Sequence, residues 1–221
     1  MINEDLYIRQ TGLVHPETLS KSIAVIGAGG IGSWTVLALL KMGCQDIKVF
    51  DMDHVEVHNA ASQVYTSLDA GKTKIQALAD RLFDLTDLSP SCIEAEITPD
   101  NAKEFLKGFD IVISAVDSIE VRKTLFKALE GTNIVFIDGR MAGNAIEIYT
   151  IPMNDTEKRT LYSETLFGNE EALDIPCSER SVVYNCFVIS GLITAMVGHI
   201  CNNRPVPTET IVDLMNFTMF N

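Results

Sequence analysis

The sequence predicts an α/β fold: a mostly parallel sheet, doubly wound, with an antiparallel C-terminal extension. Three observations carry this. Short apolar runs alternate with helical segments along most of the chain. A glycine-rich turn joins the first run to the first helix, and acidic residues stand at the carboxyl ends of later runs.

Ile23 to Gly27 is a short β-rich apolar run, the pattern of a buried parallel strand. The turn Gly27-x-Gly29-Gly30-x-Gly32 follows, and "SWTVLALLKMG" reads as a helix that Gly43 caps. "DIKVFDMD" is the second strand, ending in Asp51 and Asp53. "HVEVHNAASQVYTSLDAG" is a long polar connection, a place where function concentrates. "KTKIQALADRLFDL" has helical periodicity; "CIEAEI" reads as a strand and "NAKEFLKGF" as a short helix. "DIVISAVDS" is a buried strand ending in Asp117, "IEVRKTLFKALEG" a helix, and "NIVFIDG" a strand ending in Asp138. "NAIEIYTI" is a further, antiparallel strand, and residues 152–181 look irregular. An apolar helix over 181–201 and a closing strand in "TIVDLMNFTMF" complete a single domain over 1–221, with a nucleotide-binding core in 1–150.

The 221 residues are 47% hydrophobic, enough for a full core. A net charge of -13 without any Lys/Arg run argues against nucleic acid or an anionic membrane surface as a partner. The five cysteines (Cys44, Cys92, Cys177, Cys186, Cys201) are odd in number and show no C-x-x-C spacing. We therefore expect reduced thiols, a cytoplasmic protein and no structural zinc. The polar start "MINEDLYIRQ" does not read as a signal peptide. The 181–201 stretch has the length of a membrane span, but Asn185, Ser190, Thr194 and His199 interrupt it; a buried core or interface helix is the expected reading.

In such sheets ligands bind at the carboxyl ends of the strands, where the glycine turn, Asp51, Asp53, Asp117 and Asp138 would all lie. The spacing of Gly27, Gly29, Gly30 and Gly32 lets backbone approach a phosphate at a helix N-terminus. Asp51 stands where a carboxylate accepts ribose hydroxyls, which suits NAD and ATP alike. His54 and His58 have a metal-like H-x-x-x-H spacing, but on a strand or loop rather than a helix. An NAD-dependent oxidoreductase would need a substrate domain that little of the chain after Thr150 remains to build.

A longer set of motifs separates the nucleotides. "LYIRQTGL", "SKSIAVIGAGGIGS", "VFDMDHVEVHN", "GKTKIQAL" and "SAVDSIEVR", in this order, resemble the ThiF/MoeB/ubiquitin-activating superfamily of Rossmann-like adenylyltransferases, over about residues 5 to 150. The resemblance implies ATP-dependent activation of a carboxylate with Mg²⁺, often the C-terminal glycine of a ubiquitin-like or sulfur-carrier protein, or of a small peptide. It implies that the glycine turn holds the nucleotide and Asp51 the ribose; Asp53 is a further cofactor-binding candidate, with a solvated acid as its other reading. Asn59 and Lys74 would contact the phosphates and Asp117 the Mg²⁺. Arg9 matches an arginine that, in dimeric members, reaches the partner's site, so a homodimer is expected.

Where the family often reads N-x-x-R-Q, this chain reads Asn59-Ala60-Ala61-Ser62-Gln63, and Ser62 supplies no guanidinium. Either activity is reduced or another arginine substitutes; Arg140 in "DGRMAGN" is the first candidate and Arg122 the second, with a structural role as its other reading. A non-catalytic binding module of the same fold is the competing function. Cys177 precedes the apolar helix, whose N-terminus and Arg180 would favour thiolate. In the resembled family a cysteine in this crossover region can accept the activated acyl group; an unreactive local thiol is the alternative. Cys186 and Cys201 read as core thiols.

Overall fold

The computed structural model describes residues 4–166 and 182–221. Eight strands form one sheet. β1 (Ile23–Ile26), β2 (Ile47–Asp51), β3 (Ser91–Glu94), β4 (Ile111–Ser114) and β5 (Val135–Ala142) are parallel; β6 (Ala145–Pro152), β7 (Glu209–Asp213) and β8 (Thr218–Phe220) continue antiparallel. Their order is β3-β2-β1-β4-β5-β6-β7-β8. The chain leaves β1 toward β2 on one side and returns to place β4 on the other. The crevice between the carboxyl ends of β1 and β4 is therefore the topological switch point, where open α/β sheets bind ligands.

Helices α2 (Gly32–Met42), α3 (Lys74–Thr86) and α7 (Val183–Cys201) pack on one face. On the other lie α4 (Ala102–Phe105), α5 (Ile119–Leu129) and α6 (Thr156–Ser163), and the short α1 (Glu4–Tyr7) precedes the sheet in the chain. The alternation of the strands divides the core: Ile23 and Val25 face α2, while Ala24 and Ile26 face the α4–α5 side. Gly43 ends α2 in a left-handed conformation, as its sequence position predicts.

Three elements differ from the sequence expectation. The strand expected to end in Asp138 runs on to Ala142, so Asp138 lies inside β5 and is fully buried. The irregular stretch contains α6, capped by Asp155, whose carboxylate accepts the Lys158 N–H at 3.1 Å. It buries only Tyr162 fully, so its apolar periodicity is faint. The closing strand is a hairpin, because the Asp213 carboxylate accepts the N–H groups of Met215 and Asn216 and turns the chain between β7 and β8.

Helix α7 is long and apolar enough to cross a membrane by length and composition alone, with a mean hydropathy of 1.6 over its best window. Here it lies against α2, β5 and β6. A Cβ on Gly139 of β5 would stand 3.0 Å from Ile193 and 3.2 Å from Ile189, so this glycine sets how closely the helix approaches the sheet.

Candidate nucleotide site at the sheet edge

The glycine turn is built by close backbone approach. A Cβ on Gly32 would fall 1.8 Å from the Gly27 carbonyl oxygen, and one on Gly27, at φ +97°, 2.6 Å from that of Ala115. Side chains at either position would force β1, β4 and α2 apart. Gly29 differs: nothing lies within 4 Å of the position its Cβ would take. That open space adjoins the first turn of α2, where the Ser33 N–H donates to the Gly29 carbonyl and the Thr35 N–H to that of Ile31, each at 3.0 Å. A phosphate there gains the positive end of the helix.

The turn is supported from beneath. The buried Tyr65 hydroxyl donates to the Ala28 carbonyl at 2.7 Å, and Ser190 of α7 donates to that of Ile31 at 3.0 Å. Burial, then the charge of Asp51, push the Tyr65 phenol far above its ordinary pKa, so it stays a donor. Trp34 of α2 donates its indole N–H to the Ser62 carbonyl at 2.9 Å and meets Phe187 edge-on, with ring centroids 4.8 Å apart. This ties the loop after β2 to both helices beside Gly30. Residue type hinted at only part of this support: Ser190 interrupts an apolar helix, whereas nothing in the sequence marks Tyr65 or Trp34.

Asp51 at the end of β2, Asp53 and Lys74 fall into one chain of contacts. One Asp51 oxygen accepts the Ala28 N–H at 2.6 Å and the other that of Asp53 at 2.8 Å. Asp53 then takes the Lys74 ammonium at 2.8 Å, while its carbonyl accepts the Lys74 N–H, also at 2.8 Å. Asn59 is buried in a 3-10 turn; its side-chain carbonyl accepts the Glu56 N–H at 2.8 Å, so its amide hydrogens are what it can offer a ligand.

Beyond β4, Asp117 is exposed at the switch point. Arg122 donates to the carbonyls of Val116 and Asp117 and, at 3.0 Å, to the Asp138 carboxylate. It is structural, the second of its two readings. Arg140 is also engaged: it donates to Asp138 at 2.7 Å and to the Thr165 hydroxyl at 2.9 Å, and its guanidinium lies 4.6 Å from the Tyr149 ring centroid. It sits on the α5–α6 face at the end of β5, held rather than free.

Arg9 is exposed beside α1. Tyr7 packs near Gly43, and Gln10 donates to the Met42 carbonyl at 2.6 Å, so the segment is anchored at the C-terminal end of α2. Eleven helical residues separate that end from the glycine turn, about 16 Å.

Burial pushes the thiols of Cys92 and Cys186 up to about 11 and that of Cys44, also raised by Cys201, to about 12. These are inert core groups. Cys177 lies outside the described residues. Among the described residues no three His, Cys, Asp or Glu side chains gather as a metal site, and His54 and His58 are no exception. An open depression lined by Lys103, Leu106, Lys107 and Phe109 contains none of the residues of the glycine turn or of the loop after β2.

The comparisons with known proteins agree with this geometry. The model of the ThiF family matches residues 8–219. The tRNA threonylcarbamoyladenosine dehydratase of Escherichia coli (strain K12) is 31% identical over 142 residues, covering 62% of this chain and 52% of the relative. The sulfur carrier protein adenylyltransferase of Thermus thermophilus is 33% identical over 150 residues, covering 63% and 55%. The chain thus spans little more than half of these relatives. Among solved structures, E. coli MccB with ATP superposes with a TM-score of 0.79 at 16% identity, covering 99% of this chain and 71% of MccB. The E. coli dehydratase TcdA in complex with AMP gives 0.72 at 18%, covering 90% and 95%. Glycine turn, switch-point acids and a family match over nearly the whole chain lead to one statement: this chain belongs to the ThiF family.

Proposed function

We propose that this protein adenylates a carboxylate with ATP. A substrate carboxylate oxygen bonds to the α-phosphorus, the bond from that phosphorus to the β-phosphate bridge breaks, and pyrophosphate leaves. The observation that carries the reading is the open space at Gly29 beside the α2 N-terminus, with Lys74 and Asp117 on the same sheet edge. Bound with the nucleotide, Mg²⁺ would neutralise the triphosphate. Asp117 fits it, since this ion takes one or two carboxylates together with phosphates and water. Asn59 and Lys74 would hold the phosphates, and catalysis would come from positioning and charge rather than a protein nucleophile.

The substrate we propose is the C-terminal glycine of a ubiquitin-like or sulfur-carrier protein, or a small peptide. Among relatives, one is named a sulfur carrier protein adenylyltransferase, and MccB was solved with MccA. Relatives named tRNA dehydratases are also similar, but a net charge of -13 without a Lys/Arg run does not favour a nucleic-acid partner. Arg9 lies at the far end of α2 from its own glycine turn, which supports its action in the second subunit of a homodimer. Cys177 is the proposed acyl acceptor, and the thiols suit a reducing, cytoplasmic setting.

The test is ATP–pyrophosphate exchange with a glycine-ended ubiquitin-like protein, a sulfur carrier and a short peptide as separate acceptors. Exchange with one of them is expected; magnesium-ATP binding with no exchange for any favours the non-catalytic module, which Ser62 motivates. Arg140→Ala is expected to cut exchange sharply if its outer N–H groups serve the departing pyrophosphate. Unchanged exchange would leave Arg140 a structural partner of Asp138 alone.

A further inference from the structure

We infer that Asp53 is a positioning residue, which acts on the nucleotide only through Lys74; this rests on the nucleotide site proposed above. The sequence leaves Asp53 either a cofactor-binding residue or a solvated acid. The structure directs its carboxylate onto the Lys74 ammonium at 2.8 Å. The two residues are also joined along the backbone, by the Lys74 N–H to the Asp53 carbonyl and by the bridge between His54 and Thr73. Lys74 is the first residue of α3, capped by the Thr73 hydroxyl, and its side chain is only 12% exposed.

A lysine is a point charge on a flexible stem with three donors. One donor given to Asp53 fixes the stem and leaves two for phosphate oxygens. The same division of labour, an acidic residue holding a lysine against phosphates, recurs in other phosphoryl-transfer sites. Asp53 is itself 63% exposed, so its charge is screened and repels an arriving triphosphate weakly. Asp51, by contrast, spends one bond on the glycine turn and one on the Asp53 N–H, which orients the Asp53 backbone from the nucleotide side.

The test is a double-mutant cycle on binding, which needs no acyl substrate. Titrate the wild type, Asp53→Ala, Lys74→Ala and the double variant with magnesium and a non-hydrolysable ATP analogue, and separately with AMP. Asp53→Ala is expected to weaken the triphosphate about fivefold, with AMP unchanged. In the Lys74→Ala background it is expected to have no effect, because neighbours sharing one contact are non-additive. Equal weakening of AMP, or the same loss in both backgrounds, would show direct contact with the nucleotide and overturn the inference. Tighter triphosphate binding in Asp53→Ala would overturn it too, showing a competing charge. A wild type that binds neither ligand would remove the proposed function itself, and this inference with it.

Discussion

Asp117→Asn is expected to lower pyrophosphate exchange by about 10²–10³-fold, the usual effect of removing one preorganised electrostatic contact from a transition state. The argument starts from what holds the residue. Asp117 follows β4 at the switch point, and its carbonyl, with that of Val116, accepts from Arg122. The loop is therefore fixed from below while the carboxylate stays exposed and able to take a cation. Asparagine keeps the size and one acceptor oxygen but loses the charge that would hold Mg²⁺. Being exposed, the substitution should change stability by no more than about 0.5 kcal/mol. Rate and stability thus separate. Exchange kinetics at rising magnesium, beside a thermal melt, make the check: part of the loss should be regained at high magnesium. Wild-type exchange in a folded Asp117→Asn protein would remove Asp117 from the site.

Much of the fold was legible because its signals are local. The glycine spacing, the buried apolar runs and Gly43 each reflect a constraint within a few residues, and alternating strands and helices imply a mostly parallel sheet without fixing its strand order. Two candidate positions were legible for a related reason: strand ends bring Asp51 and Asp117 to one edge whatever the side chains do, whereas Asp138 lies inside β5 and is fully buried. What each side chain contacts was not. That Lys74 meets Asp53 depends on α3 starting beside the end of β2, a long-range event. Arg140 shows a partial signal. It stands two residues after Asp138, and strand residues two apart share a face, so a pairing was implied by the pleat. That Tyr162 closes the same cluster was hidden, because α6 has too weak an apolar period to be read as a helix. Ser62 was visible as a departure, but its carbonyl contact with Trp34 was not.

That cluster leads to the second large effect: Asp138→Ala is expected to destabilise the fold by about 3–5 kcal/mol, the range for breaking a buried ion pair on one side. Asp138 is fully buried. One of its oxygens accepts from Arg122 at 3.0 Å; the other accepts from Arg140 at 2.7 Å and from the Tyr162 hydroxyl at 3.0 Å. Burial, then the Asp138 charge, hold the Tyr162 phenol far above its ordinary pKa, so it remains a donor. Alanine would leave two largely covered guanidiniums facing each other with no anion between them. Urea unfolding should move its midpoint accordingly, with the slope unchanged. A loss below about 1 kcal/mol would mean that water or a shift of α5 replaces the carboxylate. The same variant should weaken exchange, since Arg122 also holds the carbonyls beneath Asp117. Adding Arg140→Met should recover part of the stability, because a buried charge removed with its partner costs far less than one left alone. It should not recover the exchange, which depends on where the Asp117 loop is held.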